Sequence, residues 1–164
     1  DPAPGVPFDV TKSTAYSLRE LLSRLGLTPH LRATGGKGLH VVAPLTPDAG
    51  WDETKAFAGA VAEALAAADP ERLTTALPKA ERGGKVFIDY LRNERGSTAI
   101  APFSTRARKG APVAVPVSWD QVETLDRANG FSLGAAIERA SGPSPWRGYG
   151  EVNQSITRAL LEKV

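Results

Sequence analysis

The chain has 164 residues, of which 41% are hydrophobic and 23% charged, and these values are typical of one globular domain with an ordinary core. The formal net charge is only +2, so global basicity gives no argument for an anionic partner. Cysteine is absent, which excludes disulfides and thiolate metal sites. No apolar run has the length of a membrane span and no signal peptide is visible, so we expect no membrane partner.

The first third of the chain predicts a helix followed by a hairpin. Leucines at helical spacing predict a helix from Val10 to Leu25, with Asp9 as its N-cap and Gly26 as its C-terminal stop. Strands are predicted at His30 to Thr34 and at Leu39 to Ala43, on either side of a glycine-rich turn. The order strand, glycine turn, strand favours antiparallel pairing.

The rest of the chain mixes further helix and strand signals. A second helix is predicted from Trp51 to Ala68, and strands at Val86 to Asp89 and at Ser97 to Ala101. Ala111 to Val117 contains prolines, which favours an edge strand. Helix signals follow at Ser118 to Gln121 and at Asn153 to Lys163. The pattern predicts an α+β fold with a mixed or antiparallel sheet and flanking helices, all within a single domain over residues 1–164.

Positive charge is concentrated between Lys79 and Lys109, where eight Lys or Arg residues and three acids give +5 while the remaining residues together carry −3. Within this segment Asp89 ends the apolar run Val86-Phe87-Ile88. A carboxylate at the end of a buried strand needs a counter-ion or a metal. The simpler interpretation is an ion pair with Arg92. A magnesium site would require a second carboxylate, for which Asp1 is the best candidate.

The turn Thr34-Gly35-Gly36-Lys37-Gly38-Leu39-His40 is a second candidate site. Its glycines allow close approach of backbone N–H groups to a phosphate, and Lys37 adds a cation at the tip. Alternation along the strand predicts that His40 and Val41 lie on opposite faces of the sheet. The alternative is a plain hairpin turn with a solvent-exposed lysine and a strand histidine.

Arg106 and Arg108 alternate in a stretch that we expect to be extended, so that both side chains would lie on one side. Two guanidinium groups on one face suit phosphate recognition. The alternative is a solvated edge strand that carries protective charges.

Together these segments resemble the polymerase domain of bacterial DNA ligase D, a branch of the archaeo-eukaryotic primase superfamily. The resemblance runs through nearly the whole chain. Its strongest parts are DPAPG at Asp1 to Gly5, TGGKGLHVVAPL at Thr34 to Leu45, IDYLRN at Ile88 to Asn93 and PFSTRARKGAPV at Pro102 to Val113. It implies a primase-like catalytic core of which this chain is the C-terminal portion. The abrupt start and the absence of methionine also predict an internal piece of a longer polypeptide.

The resemblance also assigns roles to individual residues. In that family three aspartates hold two divalent metals, Mn²⁺ or Mg²⁺; Asp1 matches the second and Asp89 the third, and the first would lie two residues before Asp1. Arg82 matches a basic position near the active centre. The residues implied to bind the nucleotide are Thr34, Lys37, His40, Arg92, Arg106 and Arg108.

The implied function is template-directed nucleotidyl transfer, with a preference for ribonucleotides, at DNA ends in non-homologous end joining. The implied partners are a nucleoside triphosphate, a DNA primer-template or broken DNA end, the end-binding protein Ku and a ligase domain. A cytoplasmic, nucleoid-associated location in bacteria follows from the same resemblance. Two alternatives stay open, a non-catalytic nucleotide- or nucleic-acid-binding fragment and a standalone primase-polymerase without a ligase.

Overall fold

A computed structural model describes residues 1–162 of the chain. Within these residues four α-helices and five short strands follow one another: α1 (Phe8–Arg24), β1 (His30–Ala33), β2 (Leu39–Val42), α2 (Trp51–Ala68), β3 (Leu73–Thr74), β4 (Val86–Phe87), β5 (Val115–Val117), α3 (Leu133–Ser141) and α4 (Arg158–Leu161). Single 3₁₀ turns lie at Lys79–Arg82, Leu91–Asn93 and Trp119–Gln121. No helix in residues 1–162 is both long and apolar enough to cross a membrane.

Two small sheets organise these elements. One is antiparallel, with the strand order β2-β1-β5, and the other pairs β3 with β4 in parallel. In the first sheet Leu31 lies opposite Val41 and Val117, and Arg32 lies opposite His40 and Pro116. Since side chains alternate along a strand, one face of this sheet is apolar and the other polar. The predicted α+β class with a mixed and antiparallel sheet arrangement is confirmed.

The apolar face of the three-stranded sheet is the floor of the largest core cluster. Leu31, Ala33, Val115 and Val117 are buried there together with Ala15 of α1. A second cluster joins α1 to α2 and contains Leu22, Leu25, Leu27, Phe57 and Val61. A third cluster packs β3 and β4 against the two helices and contains Leu65, Leu73 and Val86. Burial of one face by leucine and valine leaves the other face of the sheet for polar residues.

The predicted boundaries are close to the observed ones at α1, with one correction. The helix begins at Phe8 after Pro7, which is the boundary residue, so Asp9 lies inside the first turn and is not the N-cap. There its carboxylate pairs with Lys12 Nζ at 2.8 Å. Gly26 follows the helix with φ of 81°, which confirms its role as the stop.

Other corrections concern the second half of the chain. Residues 97–101 form no strand; Ser97 N donates to Glu94 O at 3.0 Å, and residues 97–99 are exposed without a partner strand. The strand predicted to reach Asp89 is regular only over β4, and the signal at Ser118 produces one 3₁₀ turn. The helix α3 was missed, although Ser132 caps it by accepting from Ala135 N. Of the predicted terminal helix only α4 is seen, and Lys163 lies outside the described residues.

Candidate functional site

The N-terminal residues pair with β4 and thereby bring two carboxylates together. Asp1 N donates to Phe87 O at 2.8 Å, and Phe87 N donates to Asp1 O at 2.9 Å. Asp1 and Phe87 are therefore a directly opposed antiparallel pair. Asp89 follows Phe87 by two residues, and its carboxylate lies close enough to Asp1 to oppose the lowering of the pKa of the Asp1 amino group by burial. The two predicted metal ligands thus share one edge of the small sheet.

The glycine turn lies against this edge. The Thr34 hydroxyl donates to Gly38 O at 2.7 Å and accepts from Gly36 N at 3.2 Å, so it closes the loop from inside. A Cβ added to Gly38 would lie 3.3 Å from both Cα and Oδ1 of Asp1, which is tighter than an ordinary contact. Lys37 stands exposed at the tip of the loop. The loop therefore approaches the Asp1 carboxylate as closely as a residue without a side chain allows.

The other side of the same turn packs against Arg106. Gly35 has φ of 65°, and a Cβ there would lie 2.9 Å from Arg106 Cγ and 3.0 Å from the Val113 carbonyl carbon. Arg106 N donates to Pro112 O at 2.8 Å, which fixes the backbone of the arginine beside the loop. The structure therefore brings together the glycine turn and the first arginine of the predicted pair.

The geometry of the arginine pair differs from the prediction. The extended chain ends at Arg106, because Arg108 N donates back to Arg106 O at 2.8 Å and makes a tight turn. Both arginines nevertheless line one open cavity of about 420 Å³, together with Ile100, Thr105 and Ala107. They can still contact one anion, although not by strand alternation.

His40 lies on the polar face of the sheet, as the alternation predicts, and it is half-buried. Its Nδ1 is 2.7 Å from Arg32 Nη2. Burial, the Arg32 guanidinium, the Asp1 amino group and Arg106 lower the pKa of His40 to about 4, against the opposing effect of the Asp89 carboxylate. His40 is therefore neutral at neutral pH. These charges place His40 within reach of the Asp89 carboxylate, the Asp1 amino group and Arg106.

The ion pair that the sequence offered as an alternative for Asp89 is formed. Arg92 Nε lies 3.5 Å from Asp89 Oδ2, and Leu91 N donates to Asp89 Oδ1 at 3.1 Å. The Arg92 side chain is 57% exposed and that of Asp89 26%. An ion pair this exposed contributes at most about 1 kcal/mol, so a bound cation could displace it. The pair and the metal role are compatible.

Arg82 is held close to Asp1 but its contacts are structural. Its guanidinium lies 3.7 Å from the centre of the Phe87 ring. Its Nε and Nη2 donate to the carbonyls of Ala76 and Leu77 at 3.1 and 2.8 Å. Arg82 therefore fixes the residue with which Asp1 pairs.

The donor set fits a hard divalent ion in part. Mg²⁺ is commonly held by one or two carboxylates with water and substrate phosphates, and Asp1 and Asp89 supply that number. Within residues 1–162 no group of three or more His, Cys, Asp or Glu residues could hold a metal ion. These two carboxylates suit one ion shared with phosphates, and a second ion would require further donors.

Sequence reasoning missed Arg32, the partner of His40. Arg32 is only 7% exposed and lies at the centre of β1. The signal was present in the alternation of His30, Arg32 and Thr34, which places all three on the face of the hairpin that also carries His40. A charged residue in the middle of a short strand, paired across the hairpin with a histidine, indicates a polar contact between the two side chains.

The part of the chain that contains these residues is similar to known proteins. The family described as "LigD, primase-polymerase domain" matches residues 1–146. The chain is 41% identical over its whole length to the multifunctional non-homologous end joining protein LigD of Pseudomonas aeruginosa, of which it covers 20%. Over 85% of the chain it is 33% identical to the bifunctional non-homologous end joining protein LigD of Bacillus subtilis, of which it covers 23%.

The fold is similar to a solved structure, the polymerase domain from Mycobacterium tuberculosis ligase D in complex with DNA. The TM-score is 0.83 at 29% identity, and the match covers 93% of this chain and 53% of that one. The chain belongs to the LigD primase-polymerase domain family. It spans about a fifth of the length of the end-joining proteins it matches and about half of the solved polymerase domain.

Proposed function

We propose that this chain carries the nucleotide- and metal-binding part of a DNA-directed nucleotidyltransferase of the primase-polymerase type. The observation that supports this most is the double contact of one glycine turn. Through Gly38 the turn approaches the Asp1 carboxylate, and through Gly35 it approaches Arg106. A single loop thus joins a carboxylate edge to a cationic cavity, which is the charge arrangement that a metal-bound triphosphate requires.

The cationic side would bind and orient the triphosphate. Arg106 and Arg108 line one cavity, where each guanidinium can donate to phosphate oxygens. Lys37 at the exposed loop tip adds a mobile point charge. Neutral His40, between these cations and the carboxylates, can donate one hydrogen bond without attracting Asp89 as a counter-ion. These four residues bind and position the nucleotide and do not themselves transfer a proton.

Asp1 and Asp89 would hold Mg²⁺ or Mn²⁺. When bound, such an ion supplies neutralisation of phosphate charge and activation of the attacking 3′-hydroxyl. What the chain contributes is a fixed position for both carboxylates. Backbone pairing of Asp1 with Phe87 fixes the first, and the Leu91 N–H fixes the second.

The substrate would be a nucleoside triphosphate added to a DNA primer-template or broken DNA end. This extends to the chain what the names of its relatives state, namely end joining, and what the solved polymerase domain has bound, namely DNA. The exposed cations between Lys79 and Lys109 are suited to phosphate contacts with such a strand. The preference for ribonucleotides, the association with Ku and with a ligase domain, and the cytoplasmic location stay predictions.

A second candidate function is nucleotide binding without turnover. The observation in its favour is the count of carboxylates, because residues 1–162 bring together two at this edge and no group of three metal-ligating residues. A chain with this donor set could retain one ion and its triphosphate and yet fail to activate a primer hydroxyl. The two candidates share the same nucleotide site.

Calorimetric titration of the chain with a nucleoside triphosphate and Mn²⁺ tests the shared part. Arg106→Ala should weaken binding about tenfold, since charge-assisted hydrogen bonds are lost. Asp89→Ala should abolish the Mn²⁺ dependence of binding. Arg24→Ala, which removes an exposed arginine at the far end of α1, is the matched control and should bind as the parent does. Unchanged affinity in Arg106→Ala would refute the assignment of the cationic cavity.

Primer extension separates the two candidates. If the chain adds nucleotides to a recessed DNA end in the presence of Mn²⁺, and Asp89→Ala does not, the transferase is supported. Metal-dependent binding of the triphosphate without extension supports the binding module. Absence of nucleotide binding in the parent chain would refute both.

A further inference from the structure

We propose that Arg32 is a positioning residue that fixes His40 as a donor, with its Nε2–H directed to the nucleotide and its Nδ1 locked as an acceptor. This inference rests on the proposed function, because the nucleotide site is where the donated hydrogen bond would be used. It gives a role to the buried Arg32 guanidinium, which the proposed nucleotide site does not otherwise use.

The chemistry of the two side chains decides the tautomer. Arg32 Nη2 lies 2.7 Å from His40 Nδ1, which is a short hydrogen bond. A guanidinium has five N–H donors and no acceptor, and it stays protonated in proteins. Nδ1 must therefore present its lone pair to Arg32. The single ring proton of neutral His40 is then on Nε2, the nitrogen on the far side of the ring from Arg32.

The cost of burying Arg32 supports a role beyond packing. Arg32 is 7% exposed, and its Nε is buried without a hydrogen-bond partner. Among the ion pairs of residues 1–162 none involves Arg32. A buried cation without a carboxylate partner is unfavourable, and an apolar residue would serve the core better. The hydrogen bond that Arg32 does make is the one to His40.

Aromatic side chains pack beside the strand that carries Arg32. Trp146 Nε1 donates to Leu31 O at 2.6 Å, and the Trp146 and Tyr149 rings stack with centroids 5.0 Å apart. Both rings pack on His30, the neighbour of Arg32 on the polar face. Tyr149 also acts on the Arg32 guanidinium, where it opposes the lowering of the pKa by burial, so this aromatic group lies beside Arg32.

The electrostatics agree with the geometry. Burial lowers the pKa of His40 most; of the charged groups that act on the ring, Arg32, Arg106 and the Asp1 amino group lower this pKa and outweigh Asp89, which raises it. Before nucleotide binds, His40 is thus a neutral ring with one proton to donate.

Nitrogen-15 NMR of the His40 ring in the nucleotide-free protein tests the pair directly. In the parent chain Nε2 should carry the proton and Nδ1 should not. Arg32→Met, which keeps volume but removes the donor, should give a mixture of tautomers, whereas Arg32→Lys should retain the parent tautomer because an ammonium can still donate to Nδ1. A proton on Nδ1 in the parent, or an unchanged tautomer in Arg32→Met, would overturn the proposal whether or not the chain binds nucleotide.

Nucleotide titration of a double-mutant cycle gives the functional readout. Arg32→Met should weaken triphosphate binding about fivefold to tenfold in the parent background and have no further effect in the His40→Ala background, because Arg32 acts through His40. An equal loss in both backgrounds would show that Arg32 acts independently and would overturn the positioning role. Arg32→Lys, which restores the donor, guards against a fold defect in Arg32→Met. If the parent binds no nucleotide, the proposed function fails and the NMR result alone decides the pair.

Discussion

Substitution of Gly35 by alanine should damage both the stability of the protein and the proposed nucleotide site. Gly35 has φ of 65°, and its added Cβ would lie 2.9 Å from Arg106 Cγ, 3.0 Å from the Val113 carbonyl carbon and 3.1 Å from Ala114 N. Two of these three atoms belong to backbone, so the loop and the 113–114 segment must separate. The left-handed conformation costs alanine about 1 kcal/mol. Overpacking adds about 1–3 kcal/mol.

The expected loss is therefore about 2–4 kcal/mol of unfolding free energy, measured by equilibrium urea denaturation. Gly26→Ala is a matched control. Gly26 has φ of 81° with open space around it, so it reports the conformational term alone, about 1 kcal/mol. The difference between the two variants isolates the contact between the turn and the Arg106 segment.

Nucleotide titration of folded Gly35→Ala adds a second readout. Displacement of Arg106 from the loop should weaken triphosphate binding, while Gly26→Ala should bind as the parent does. If Gly35→Ala loses no more stability than Gly26→Ala, the close packing of turn and arginine is wrong. Equal nucleotide affinity in all three proteins would refute the reasoning that joins this contact to the site.

Three further outcomes are expected. Gly38→Ala, whose Cβ would stand 3.3 Å from Asp1 Oδ1, should weaken Mn²⁺ binding in a calorimetric titration with a stability loss of only about 1 kcal/mol; unchanged affinity would count against Asp1 as a ligand. Arg82→Ala should lower the free energy of unfolding by about 1–2 kcal/mol, because two hydrogen bonds and the contact with Phe87 are lost. The folded Arg82→Ala variant should nevertheless bind nucleotide more tightly than Arg106→Ala does. The pKa of His40 falls from 6.5 to about 4 on folding, so the unfolded chain binds more protons than the folded protein between these two pH values. The free energy of unfolding should therefore decline by at most about 3 kcal/mol as pH falls from 6.5 to 4. Denaturation curves of His40→Gln should show a smaller decline, and a pH dependence identical to that of the parent would refute the neutral state of His40.

Local patterns in the sequence predicted the parts of the site that depend on local chemistry. The glycine turn between two strands predicted the hairpin. Alternation placed His40 and Val41 on opposite faces of the sheet, because the backbone fixes the period of a strand. The helix Trp51–Ala68 was predicted with its observed bounds, since its apolar spacing is regular. These features need no information about distant residues.

The features that the sequence left hidden are contacts between distant segments. Gly35 and Arg106 are 71 positions apart, and nothing in either segment specifies that they touch. Residues 97–101 have the composition of a strand, but a strand forms only where a neighbour supplies hydrogen bonds, and here none does. The arginine pair was placed by alternation, and a local turn from Arg106 O to Arg108 N overrides it. Strand patterns thus predict faces better than they predict partners.

The balance of charge around His40 explains why a neutral histidine suits this position. Asp89 raises the pKa of His40, and a protonated ring would be drawn into an ion pair with that carboxylate. Such a pair would occupy the oxygen atoms that a divalent ion needs. Burial of the ring lowers its pKa most, and the cations Arg32 and Arg106 add to this effect, so the ring is neutral. Arg92 is left as the counter-ion of Asp89, at 3.5 Å and largely exposed, so the cost of exchanging it for a metal is small. A buried arginine that contacts the histidine and an exposed arginine beside the aspartate would together leave Asp89 open to the proposed metal ion.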